Sequence, residues 1–212
     1  MIKVERSSTQ TEEILGVLDY TISQVMRLGI KAVSMDDISS GLGISKKTLY
    51  SHFASKSLLI EQAMKRHIRL EEQVIEDISK RAVDAIDEMA QIAEHTVIHF
   101  RQISPVLIHD LQRYYPQIWA QVILHHSKFL QDRMSLNITR GIEENYYRDD
   151  IDVDIVTKLY LGKSFSLVDE EVFSSRSYNR DKLISQHILY HMHGILSDKG
   201  RTHLKNFHAL MI

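Results

Sequence analysis

The stretch over residues 34–56, SMDDISSGLGISKKTLYSHFASK, constrains this chain more than any other. It holds two short helical segments, and each brings its own start and stop. Ser34 followed by Asp37 reads as a capping box, with Asp36 and Asp37 in the electropositive first turn. Ile38 and Leu42 fall four apart on one face, and Gly43 can take the left-handed conformation that ends a helix. Ser45 then caps a second segment, Lys46 to about Phe53, in which Leu49 and Phe53 again repeat at four. Two brief helices joined by a tight turn containing glycine form the outline of a helix-turn-helix.

The polar residues of the second segment point to its chemistry. With Leu49 and Phe53 turned inward, the helical step places Lys47, Tyr50 and Ser51 outward, flanked by Lys46 and Thr48. Between Ile38 and Ile60 there are three lysines and no acid. Lys46 and Lys47 open one helix and Lys56 opens the next, where a cation opposes the helix dipole by roughly 0.3–1 kcal/mol. An external anion reverses that sign, because helix N-termini already attract phosphate. One such lysine is ordinary surface. Three, set among hydroxyls and a tyrosine, read as a phosphate-contacting face, and the partner expected is double-stranded DNA.

Residues 11–15 (TEEIL), Gly29, residues 34–38 (SMDDI), residues 43–53 (GISKKTLYSHF) and Ser55-Lys56 to Leu58 together resemble the DNA-binding domain of TetR/AcrR-family transcriptional regulators. The resemblance covers about residues 9–60 and departs at Gly41-Leu42, where the family often has alanine before the glycine. It implies an all-α protein with a three-helix helix-turn-helix domain over 1–60 and a helical effector-binding and dimerisation domain over 61–212. It also implies that Ser34, His52 and Lys56 hold phosphates while Ser45, Lys46, Lys47, Thr48 and Tyr50 enter or border the major groove. Lys47 is the candidate for a base contact. A homodimer regulated by a small-molecule effector follows from the same resemblance, most simply a repressor released by that effector. Its two-fold axis would set the recognition helices about 34–36 Å apart, one turn of DNA.

Composition bounds the rest. Two Pro, eight Gly and 43 % hydrophobic residues over 212 positions suit a largely helical protein with a substantial core. No cysteine is present, which removes disulfides and thiolate metal sites and fits a reducing compartment. The first ten residues carry no apolar signal core, and no apolar run is long enough to span a bilayer, so a soluble cytoplasmic protein is expected. Net charge is −2, with residues 1–66 holding nine basic against seven acidic side chains. That permits a local DNA footprint on an otherwise acidic body.

Along the chain, Thr9 and Glu12 suggest a cap for a first helix running to about Leu28, with Lys3 and Arg6 as a short basic arm ahead of it. Ser104-Pro105 and Pro116 mark two further helix starts, and Gly141 to Asn145 a helix end with Asn in the left-handed slot. A helix capped by Asp152 is expected to turn Ile155, Val156, Leu159, Tyr160, Phe165 and Val168 inward, and a last one follows from about Asp181. Phe100, Trp119, Ile123, Tyr160 and Ser164 are the candidates for lining an effector cavity. His95/His99 and His187/His191 have the i, i+4 spacing that can ligate metal, but no Glu-x-x-His or HExxH accompanies them, and no metal or cofactor is expected. No phosphate loop, nucleophile elbow or cysteine nucleophile is present, so the chain does not read as an enzyme. The alternative reading is an all-helical ligand- or metal-binding protein whose head no longer binds DNA.

Overall fold

The structure is a computed structural model that describes residues 2–167 and 169–204, with side chains from Thr11 onward except that of Phe165. Among the described residues there are ten α-helices and no strand: α1 Ile2–Leu28, α2 Met35–Leu42, α3 Lys46–His52, α4 Lys56–Arg81, α5 Ala85–Gln102, α6 Pro105–Tyr114, α7 Pro116–Glu143, α8 Val153–Ser166, α9 Arg180–Ile195 and α10 Asp198–Leu204. The chain divides into two compact units, Met1–Glu71 with Ile103–Ile123, and Glu72–Gln102 with Leu124–Ile212. Helices α4 and α7 each contribute residues to both. The first unit is therefore larger than residues 1–60, because α6 and the start of α7 join it.

Local chemistry sets the helix ends of the first unit. α1 stops at Gly29, whose φ of 83° is open to glycine and whose amide donates to the Val25 carbonyl at 2.9 Å. A Cβ at Gly29 would also collide with Val106 of α6. α2 starts in a complete capping box: the Ser34 hydroxyl accepts from the Asp37 amide, and the Asp37 carboxylate accepts from the Ser34 amide at 2.8 Å. It ends in a Schellman turn, with Gly43 at φ 66°, its amide donating to Ser40 O and that of Ile44 to Ser39 O. The α1 helix begins ahead of Thr9; the expected cap there and the Lys3/Arg6 arm concern side chains outside those described.

These ends let one apolar cluster close. Val17, Val25, Ile30, Ile38, Leu49, Phe53, Leu59 and Ile60 are all buried in it, and Leu107 and Leu111 of α6 complete it. α6 is pinned by polar contacts too: Asp110, 3 % exposed, accepts from the Lys31 amide at 2.8 Å, and the Ser104 amide donates to Met26 O at 2.8 Å. Gly41 has a packing reason, since a Cβ there would overlap the Tyr20 hydroxyl. Gly41→Ala is expected to destabilise the protein by about 1–3 kcal/mol in urea unfolding, as overpacking does. Adding Tyr20→Leu should make the double variant less costly than the sum of the two, and strict additivity would show that the ring is not the obstacle.

In the second unit Ile86, Met89, Met134, Ile138, Ile184, Ile188, Met192 and Ile195 form a separate buried cluster. Asn145 takes the left-handed conformation at the end of α7, φ 62°, as the sequence suggests. Val83 is 81 % exposed and lies just ahead of α5, which starts two residues later at Ala85. The larger correction concerns α8. Ile155 and Leu159 face outward, 56 % and 58 % exposed, while Val156 and Tyr160 lean on the cluster. Its apolar residues are spread over two faces, so periodicity could not say which face is inner. Phe165 (side chain) and Val168 lie outside the described residues.

Candidate nucleic-acid interface

The α2–turn–α3 unit presents a face with a definite hydrogen-bonding state. Leu49 and Phe53 are fully buried, which fixes the rotation of α3 and leaves Lys46, Lys47, Tyr50 and Ser51 exposed. Ser45 caps α3: its hydroxyl accepts from the Thr48 amide at 3.0 Å and lies 2.8 Å from the Thr48 hydroxyl. The two hydroxyls hold one another in register at the helix start. The Lys46 ammonium pairs with Asp36 of α2 at 2.6 Å, and that hydrogen bond raises its pKa. Lys47 has no ion pair or hydrogen bond among the described residues, and Tyr50 is 47 % exposed. Lys47 and Tyr50 are thus the groups most available to a partner.

The three side chains expected to hold phosphates are engaged in the protein itself. Ser34 is occupied by its capping box, its hydroxyl donating to Asp37 at 2.6 Å. That hydrogen bond, and the one from the Ser34 amide, lower the Asp37 pKa. The His52 imidazole is largely covered, with Nε2 3.8 Å from the Glu13 carboxylate. Lys56 departs furthest from expectation. Its ammonium donates to the Ile30 carbonyl at 2.7 Å, and partial burial lowers its pKa against the opposing pull of Asp110 and Asp37. It braces the turn after α1. Sequence spacing could find its place at the start of α4, but not the carbonyl it reaches 26 residues upstream.

The five cavity candidates divide between the units. Trp119 packs half-buried against the first cluster, and Ile123 belongs to the same unit. Phe100, Tyr160 and Ser164 belong to the second. A cleft of about 440 Å³ there, lined by Tyr147, Arg148, Asp150, Ser197 and Arg201 among others, includes none of the five. Tyr160 and Ser164 do meet two residues that the sequence offered only as a metal-spaced pair. The Tyr160 ring centroid lies 4.7 Å from that of His187 and 4.5 Å from that of His191, and His187 Nε2 is 3.0 Å from the Ser164 hydroxyl. Burial drives both histidines down to a pKa of about 4, helped by the Lys163 charge, so both are neutral at pH 7.

A capped helix-turn-helix on an otherwise helical chain, with lysines and tyrosine exposed on its second helix, defines a DNA-binding regulator. Residues 17–63 match the family described as bacterial regulatory proteins, tetR family. The HTH-type transcriptional repressor KstR2 of Mycobacterium tuberculosis (strain CDC 1551 / Oshkosh) is 27 % identical over 144 residues, 66 % of this chain and 72 % of that protein. The regulator YvaF of Bacillus subtilis (strain 168) is 20 % identical over 186 residues, 86 % of this chain and 95 % of that protein. A regulator from Saccharomonospora viridis, solved in complex with choline, shares the fold with a TM-score of 0.68 at 19 % identity, covering 88 % of this chain and 99 % of its own. Residues 17–63 thus carry a DNA-binding domain of the TetR family, and the chain is similar to transcriptional regulators of that family over most of its length.

Proposed function

We propose that this regulator is a homodimeric repressor that releases its operator when a small molecule binds the helical body formed outside the DNA-binding head. The observation that carries the DNA side is the exposed, unpaired Lys47 beside Tyr50 on a helix whose rotation the buried Leu49 and Phe53 fix. Lys47 and Tyr50 read the major groove in this proposal, and Lys46 exchanges Asp36 for a phosphate. Ser45 and Thr48 border the groove through the helix start they cap. Ser34, His52 and Lys56 position backbone amides and turns near phosphate rather than offering free side chains to it. Repression is supported by the naming of KstR2, and an effector by the choline bound to the Saccharomonospora regulator. The effector of this chain is a separate matter. The site of action is the cytoplasm, and among the described residues no helix is long and apolar enough to cross a membrane.

Dimerisation is supported by the outward face of α8, where Ile155 and Leu159 are more than half exposed, and by Tyr190 of α9 at 71 %. Apolar side chains grouped on one outward helix face mark interaction surfaces. Leu159→Glu is expected to convert dimer to monomer in sedimentation velocity and to weaken operator retention. A variant that remains dimeric would remove α8 from the interface. The test of the function itself is sequencing of genomic fragments enriched by the purified protein. Recovery of a two-fold-related motif supports the proposal, and enrichment no different from input refutes it.

A further inference from the structure

Helix α8 is built the wrong way round for an ordinary core helix. Its exposed side carries Ile155 and Leu159, while Thr157, Tyr160 and Ser164 lie on the opposite side. Thr157 is 1 % exposed and, among the described residues, its hydroxyl has no hydrogen-bond partner. His191 of α9 is 5 % exposed and its Nε2 has none either. The Tyr160 hydroxyl makes no hydrogen bond among the described residues. Only Ser164 is satisfied: its hydroxyl donates to Tyr160 O at 2.9 Å, so it accepts from His187, which therefore carries its proton on Nε2. Buried polar groups are almost always paired, and two unpaired on facing helices around a tyrosine call for an explanation.

We infer that the Thr157–Tyr160–His191 seam between α8 and α9 is the polar end of a binding site for an uncharged organic ligand bearing a hydroxyl or carbonyl oxygen. Thr157 and neutral His191 can each give or take one hydrogen bond, which is what such an oxygen requires. The Tyr160 ring, packed against those of His187 and His191, supplies apolar surface beside these polar groups. Among the described residues no carboxylate acts on His187 or His191, so a cationic head would find no counter-charge beside them. An anionic head would require protonation of a histidine with a pKa of about 4; the nearby Lys163 is exposed, with its ammonium 4.6 Å from the Tyr190 ring centroid. The assignment rests on the effector reading above, because it names that effector's class and its anchoring residues.

The test uses the full-length protein without DNA, so its failure is separate from failure of the DNA reading. Phenol, benzoate and benzylamine serve as probes of one ring with a neutral, anionic or cationic head. Phenol is expected to shift the His187 and His191 imidazole NMR signals saturably, and a Thr157→Val, His191→Leu variant should lose that response. Benzoate and benzylamine should leave both signals in place. Absence of a phenol response, or a stronger response to either charged probe, overturns the assignment. Thr157→Val alone, which removes an unpaired hydroxyl, should hold or raise Tm by roughly 2–4 °C. A fall of that size would mean the hydroxyl has a structural partner, and would overturn it as well.

Discussion

Replacing Glu88 by alanine is expected to lower the unfolding free energy by about 2–4 kcal/mol, the largest loss expected from any single polar side chain of the second unit. Glu88 of α5 is 5 % exposed, and its carboxylate gathers donors from two other helices. The Ser79 hydroxyl of α4 donates at 2.5 Å, the Asn137 amide of α7 at 3.0 Å, and the Arg140 guanidinium stands 3.6 Å away. Asn137 in turn donates to Ala85 O at 3.0 Å and accepts from the Tyr147 hydroxyl at 3.1 Å. Deleting the carboxylate leaves the Ser79 hydroxyl and one Asn137 proton buried without acceptors, whereas Arg140 keeps Glu144 at 2.7 Å. Arg140→Ala should therefore cost less than Glu88→Ala, the guanidinium being partly exposed. Urea unfolding followed by circular dichroism measures both. A loss below about 0.5 kcal/mol for Glu88→Ala would mean the network is not holding the helices together.

The second large effect lies in the other unit. Changing Lys47 and Tyr50 together to alanine is expected to reduce operator affinity roughly 100-fold or more, since a good base contact is worth about 1–3 kcal/mol and a dimer makes each twice. Stability should hardly change, because both side chains are exposed and Lys47 is unpaired. Lys46→Ala should weaken binding less, as its charge is already partly answered by Asp36. Retention in a gel shift equal to wild type, from a variant with wild-type unfolding, would remove α3 from the major groove.

What was legible in the sequence was local. The Ser34–Asp37 box, the stop at Gly43, the Ser45 cap, the Ser104-Pro105 start and the left-handed Asn145 each depend on residues within one turn, and each stands where the pattern puts it. The buried positions of α2 and α3 follow from those ends. What sequence spacing could not supply was any pairing made across the fold. Lys56 meeting Ile30 O, Lys46 meeting Asp36, and Tyr20 covering Gly41 all join residues on different elements. The orientation of α8 was hidden for a related reason, since apolar residues on two faces leave the choice of inner face to the neighbours. His187 and His191 were visible as a pair, but the Tyr160 ring packed against both was not. Helix α10, seven residues started by Ser197 accepting from the Gly200 amide, is too short for periodicity to reveal.

The salt dependence of operator binding tests the central claim most directly. Each phosphate neutralised by a lysine releases condensed counterion, so a dimer engaging two such faces should give log K falling linearly against log salt with a slope of about −4 or steeper. Lys46→Ala should make that slope shallower by about one for each phosphate the lysine no longer neutralises, while Lys56→Gln, which removes a brace inside the head, should leave it unchanged. A flat plot from a folded, dimeric protein would contradict the account.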